Sequence, residues 1–210
     1  MTAEGTSLLR RAILERARVE GTLLKVDDFL NHRVEPGLIA AVGADLADRF
    51  SDAVTHVVLT AEASGIPPAL TCALHLGVPM VFAKKYLGPG GRDVVAREVF
   101  SPTRGMEYRV EVARRALHPG EAVLIVDDFL AGGRTAEALG EIAEEAGGTV
   151  VGFGFAIEKT FQQGRSRLLA HGWRVEALAR VVSLEGGRVL LEERPVASAG
   201  PAAVPRPRRP

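Results

Sequence analysis

Val123–Thr135 reads VLIVDDFLAGGRT. Val123, Leu124, Ile125 and Val126 lack polar alternation, the pattern of a strand buried on both faces. Pro119 and Gly120 set a fresh element off from what precedes it. Asp127 and Asp128 then fall at the carboxyl end of the expected strand, where open α/β sheets bind their ligands. Ala131, Gly132 and Gly133 let backbone come close to a ligand. Beyond them, Ala136, Leu139, Ile142, Ala143 and Ala146 share one helical face. The free N–H groups at the start of that helix face the small loop and make an anion site. On its own, Asp-Asp reads as a solvated turn. With strand, acidic pair, loop and helix in register, the stretch implies a ribose-phosphate site. The loop takes a 5′-phosphate. The carboxylates take the ribose 2′- and 3′-hydroxyls and stabilise positive charge at the anomeric carbon.

A second constellation lies upstream. HVVLT at His56–Thr60 is an expected strand, Glu62–Ile66 (EASGI) a loop, and a helix to about His75 ends at Gly77. Val78–Ala83 completes a strand–helix–strand unit, the usual parallel crossover. Ala63, Ser64 and Gly65 suit a second anion, a pyrophosphate. Glu62 beside them would bind metal-bound water or fix the loop. Lys84 and Lys85 can neutralise the same pyrophosphate. A plain tight turn and two solvated lysines are the alternatives for these residues.

The remaining chain is expected to form a helix at Ser7–Val19, a short strand and loop at Leu23–Phe29, and a helix opening at Pro36. The buried face of that helix carries Leu38, Ile39, Val42, Leu46 and Phe50. Arg92–Phe100 and Tyr108–Ala113 read as antiparallel strands. Further strands are expected at Thr149–Ile157, Val175–Val182 and Arg188–Glu193, with a short helix at Gly164–His171. The 210 residues suit a single domain, 1–195, followed by a Pro/Ala/Arg-rich tail, 196–210, too poor in apolar residues to pack.

Lysine and arginine balance aspartate and glutamate at 26 each. Net charge therefore gives no case for a nucleic-acid or membrane partner. The single cysteine, Cys72, excludes an intrachain disulfide and fits a reducing, cytoplasmic setting. No apolar run reaches membrane-spanning length.

The order of parts resembles the type I phosphoribosyltransferases: a pyrophosphate loop, a hairpin lid, then the Asp-Asp phosphate loop. LLKVDDFLNHRVEP at Leu23–Pro36, VFAKK at Val81–Lys85 and IEKTFQQGR at Ile157–Arg165 are similar to the xanthine branch of that family. The resemblance runs from about Leu23 to Glu193. It implies an α/β fold with a central, mostly parallel sheet flanked by helices. A small hood from the chain ends, about 20–35 and 158–195, and a hairpin lid at about Tyr86–Tyr108 complete it.

The implied activity is transfer of a 5-phosphoribosyl group from phosphoribosyl pyrophosphate to xanthine in purine salvage. Ala131, Gly132, Gly133, Arg134 and Thr135 would hold the 5′-phosphate, and Asp127 and Asp128 the ribose. Leu24, Asn31 and Lys159 would contact the purine. Magnesium bound with the donor, and a homodimer, are implied too; no protein metal ligand is assigned. An Asn amide can read a carbonyl beside an N–H, and an ammonium favours a carbonyl-rich base. Taken alone, Asn31 also reads as a turn residue and Lys159 as a surface cation. A guanine- or hypoxanthine-preferring enzyme and a regulator that senses phosphoribosyl pyrophosphate are the alternatives. Two residues depart from the family: Gly132, where Thr or Asn is common, and Phe100, where Tyr is.

Overall fold

A computed structural model of the chain describes residues 4–86, 92–101 and 106–193. The expected tail and the tip of the lid lie outside them. Helix α1 (Glu4–Arg16) buries Leu9 and Ile13. It stops short of the expected Val19 because Val19 is drawn into a hairpin. Strand β1 (Arg18–Glu20) turns through Gly21, at φ +61°, into antiparallel β2 (Leu23–Lys25), with Val19 opposite Leu24.

The expected strand and loop at Leu23–Phe29 becomes β2 followed by a π-helical turn, Asp27–Asn31. Consecutive Phe29 and Leu30 are both fully buried, which a one-sided strand does not allow. The Arg16 side chain fastens this turn. Its Nη2 donates to the Asp28 carbonyl at 3.1 Å and to Glu35 at 2.7 Å, and its guanidinium lies 5.0 Å from the Phe29 ring centroid.

Helix α2 (Pro36–Asp48) opens at Pro36 as expected, and Leu38, Ile39, Val42, Leu46 and Phe50 are all buried. Strand β3 (Val57–Ala61), helix α3 (Ile66–Leu76) and strand β4 (Met80–Tyr86) form the expected parallel crossover, with Gly77 left-handed at the helix end. Strands β5 (Val94–Ser101) and β6 (Met106–Ala113) make the antiparallel hairpin. Then come β7 (Ala122–Leu130), α4 (Arg134–Glu145), β8 (Thr149–Lys159), α5 (Gly164–Ala170), β9 (Val175–Ser183) and a two-residue β10, Leu190–Leu191.

Eight strands join in the order β10-β9-β8-β7-β3-β4-β6-β5. The middle five, β9 to β4, run parallel, and the outer strands are antiparallel to their neighbours. Helices cover both faces. Leu124 and Val126 enter the core under α1, α2 and α3, while Val123 and Ile125 enter the core under α4. That two-sided burial is why the run carries no polar alternation.

From β3 the chain crosses to β4 on one side; from β7 it crosses to β8 on the other. The strand order therefore reverses between β3 and β7, and the loops after both open at the same end of the sheet. One expectation needs correction. The acidic pair does not follow the strand but lies inside it. β7 continues to Leu130, paired with β8 as far as Glu158, whereas its pairing with β3 stops at Ile125. Asp127 and Asp128 thus sit where one flank of β7 has lost its neighbouring strand.

Candidate active site

The acidic pair and the Glu62–Gly65 loop meet at this gap. Asp128 is only 6% exposed, and both carboxylate oxygens are engaged. Asn31 Nδ2 donates to Oδ2 at 3.1 Å, and Ser64 Oγ donates to Oδ1 at 3.0 Å. Each oxygen keeps a further lone pair for a ligand hydroxyl. The Asp128 N–H donates to Asp127 Oδ1 at 2.9 Å. Gly65 makes room for this arrangement: a Cβ there would stand 2.2 Å from both Asp127 Oδ1 and Thr60 Oγ1. The Asp127 carboxyl is pushed well above the usual range, first by burial and then by the charge of Asp128. Its hydrogen bond from the Asp128 N–H and the Lys85 ammonium pull it partly back.

An open cavity of about 880 Å³ lies beside these groups, lined by Asn31, His32, Glu62, Ala63, Ser64, Lys85 and Tyr108. Glu62 Oε1 accepts the Lys85 backbone N–H at 2.8 Å, which ties the loop to β4. The peptide between Glu62 and Ala63 is cis. Lys84, one residue away, faces elsewhere. It lines a separate cavity of about 380 Å³ with Phe82 and Tyr86, so the structure brings Lys85 to the loop and leaves Lys84 apart.

The Ala131–Thr135 loop is held from below. Gly133 has φ +79°, and a Cβ on it would fall 2.7 Å from Gly164 Cα. The Gly164 N–H donates to the Ala131 carbonyl at 2.9 Å, and Arg167 Nε donates to the Gly132 carbonyl at 3.1 Å. Among the described residues, nothing stands within 4 Å of where a Gly132 Cβ would be. The first intrahelical bond of α4 runs from the Glu137 N–H to the Gly133 carbonyl at 2.8 Å. The N–H groups of Arg134, Thr135 and Ala136 are thus left without a carbonyl of their own helix.

The three residues expected at the purine lie in the hood or against it. Asn31 ends the π-turn. Its Oδ1 is buried with no donor in reach among the described residues, while its amide holds Asp128. Lys159 is 8% exposed, so it is no surface cation. Its Nζ donates to the Thr22 carbonyl at 3.0 Å, and burial lowers its pKa. Leu24 packs into the core with Phe29 and Ile157, so its side chain backs the hood. Phe155 and Ile157, on the same strand as Lys159, are fully buried. Sequence reasoning passed over three residues here. Half-buried Phe129, next to Asp128, has the Lys159 ammonium 5.8 Å from its ring centroid. His32 and Tyr108 line the cavity. An aromatic directly after the acidic pair was the signal for Phe129; Tyr108 and His32 gave none.

Two anion-sized loops and a carboxylate pair at one switch point define a protein that handles phosphorylated ribose. The chain belongs to the phosphoribosyltransferases: the phosphoribosyl transferase domain matches residues 35–176. It is 46% identical over 189 residues to the xanthine phosphoribosyltransferase of Shouchella clausii (strain KSM-K16), covering 89% of this chain and 94% of that one. With the xanthine phosphoribosyltransferase of Chloroflexus aurantiacus (strain ATCC 29364 / DSM 637 / Y-400-fl) it shares 44% identity over 184 residues, 88% of this chain and 87% of the other. Among solved structures it is similar to adenine phosphoribosyltransferase from Rhodothermus marinus DSM 4252. There the TM-score is 0.70 at 29% identity, covering 86% of this chain and 100% of that chain.

Proposed function

We propose that this enzyme transfers the 5-phosphoribosyl group of phosphoribosyl pyrophosphate to xanthine, giving xanthosine 5′-monophosphate and pyrophosphate in purine salvage. The observation that carries the reading is the chain Asn31–Asp128–Ser64. It joins the hood, the ribose carboxylate and the pyrophosphate loop through one side chain. The names of the relatives support xanthine as the base.

In this reading Ala131–Thr135 hold the 5′-phosphate, and Ala63, Ser64, Gly65 and Lys85 the pyrophosphate. The bond from the anomeric carbon to pyrophosphate breaks and its electron pair leaves with pyrophosphate. A purine nitrogen then bonds to that carbon as the base loses a proton. Asp127 and Asp128 stand near the positive charge that develops on the ribose. Asn31 Oδ1 accepts a purine N–H, the buried Lys159 ammonium faces a purine carbonyl, and Phe129 supports the ring. The hairpin β5–β6 excludes water from the reacting carbon.

Magnesium fits this donor set. Among the described residues no cluster of three or more acidic, His or Cys side chains could cage an ion. Two carboxylates beside a pyrophosphate loop suit a cation that arrives on the donor's phosphates and keeps its waters. When bound it offsets charge on the departing pyrophosphate. A homodimer belongs to the same reading, supported by exposed Leu70 and Leu74 on α3 and Phe82 on β4. So does work in the cytoplasm, supported by the buried lone thiol of Cys72. Among the described residues no helix is long and apolar enough to cross a membrane.

Steady-state kinetics of two variants test these assignments. Asp128→Asn should lower kcat by about 100-fold or more, as loss of a preorganised electrostatic group does, with little change in thermal midpoint. Lys159→Ala should raise KM for xanthine by about ten-fold or more, the scale of one charge-assisted hydrogen bond, while KM for phosphoribosyl pyrophosphate stays put. Near-normal turnover of the first, or an unchanged xanthine KM in the second, would overturn the respective assignment.

A further inference from the structure

We propose that Tyr108 is a positioning residue for the 5′-phosphate of the ligand, acting through Thr135. The inference rests on the reading of Ala131–Thr135 as the phosphate cradle. Tyr108 belongs to β6, in the lid hairpin, and comes from a different part of the fold than the cradle. Its hydroxyl lies 2.6 Å from Thr135 Oγ1.

Thr135 is the second residue of α4, among the N–H groups that have no helical partner. Deeper in a helix, a threonine hydroxyl commonly turns back to the carbonyl of the preceding turn; at this position Thr135 bonds to Tyr108 instead. With the phenol as donor, one Thr135 lone pair is filled. The threonine proton is then aimed outward, towards an anion on the cradle. Thr135 is the one residue of Ala131–Thr135 with a hydroxyl, and Gly132 brings no side chain at all. Orientation of the Thr135 proton therefore supplies a donor that Gly132 does not.

The Tyr108 ring also lines the cavity that holds Glu62, Ser64 and Lys85. The Lys85 ammonium lies 5.8 Å from its centroid. Tyr108 thus stands between the two anion loops and touches the machinery of each.

Calorimetric affinities of xanthosine 5′-monophosphate and xanthosine, on the full chain, test this. The proteins are wild type, Tyr108→Phe, Thr135→Ala and the double variant. Wild type should bind the nucleotide more tightly than the nucleoside. Tyr108→Phe should weaken nucleotide binding about ten-fold, the scale of one hydrogen bond to a charged group, and leave nucleoside binding unchanged. Thr135→Ala should do the same, and the double variant should be no worse than Thr135→Ala alone. Equal wild-type affinities for nucleotide and nucleoside would overturn the cradle reading itself. A wild-type gap that persists in Tyr108→Phe would overturn the role of Tyr108 and leave the cradle standing. Equal weakening of both ligands would make Tyr108 merely structural, and additive losses in the double variant would refute action through Thr135.

Discussion

Asp127 is held where Gly65 lets its carboxyl lie against the pyrophosphate loop. Burial and the neighbouring Asp128 raise its pKa above the usual range. Below the unfolded-state value, about 4 for an aspartate, native and unfolded chains both hold the proton. Above it the unfolded chain has lost a proton that the native chain retains, so stability falls with rising pH until the native pKa is passed. Asp127→Asn removes that loss and keeps an acceptor for the Asp128 N–H. Urea denaturation of the ligand-free protein should show little difference between variant and wild type at pH 4. The variant should gain relative stability at up to about 1.4 kcal/mol per pH unit above it. A constant difference from pH 4 to 8 would contradict the assignment. Both carboxylates were legible in the sequence because they interrupt an apolar run. The need for glycine at Gly65 was not, because the clash that forbids a side chain comes from Asp127, far along the chain. Tyr108 was illegible for the same reason: its partner Thr135 lies across the fold.

At the scale of elements, α5 determines how the phosphate loop sits. Glu158, 2% exposed at the end of β8, accepts from Arg165 Nε at 2.8 Å and Nη2 at 2.6 Å, and from Arg180 Nε at 3.0 Å. Arg165 follows Gly164, whose N–H reaches the Ala131 carbonyl. The carboxylate therefore anchors α5 beneath the cradle. Removing one partner of a buried ionic cluster leaves charge uncompensated, so Glu158→Ala should cost about 3–5 kcal/mol in chemical denaturation. KM for phosphoribosyl pyrophosphate should rise as well. A loss below about 1 kcal/mol, the range of an exposed pair, would show that the anchor is not needed. Most elements could be read from periodicity and punctuation: Pro36 opens α2 and Gly77 closes α3 as expected. The hairpin β1–β2 and the π-turn could not. Val19 continues a helical pattern until Gly21 bends the chain, and Phe29-Leu30 fits several local structures until the core claims both. The full reach of β7 was hidden because Asp127 and Asp128 interrupt its apolar run before the core residue Leu130.

The whole molecule brings together two loops that the chain keeps far apart. Periodicity identified β3 and β7 as buried strands, but it says nothing of strand order; only the sheet makes them neighbours with a reversal between them. The family resemblance supplied that arrangement before the structure did. The central claim, transfer of phosphoribosyl to xanthine, depends on the assembled site. Its most direct test is pyrophosphate release from phosphoribosyl pyrophosphate and magnesium, with xanthine, guanine, hypoxanthine and adenine in parallel. The account predicts release with xanthine far above the other three. Release led by another base would contradict the roles given to Asn31 and Lys159, and no release with any base would contradict the reaction itself.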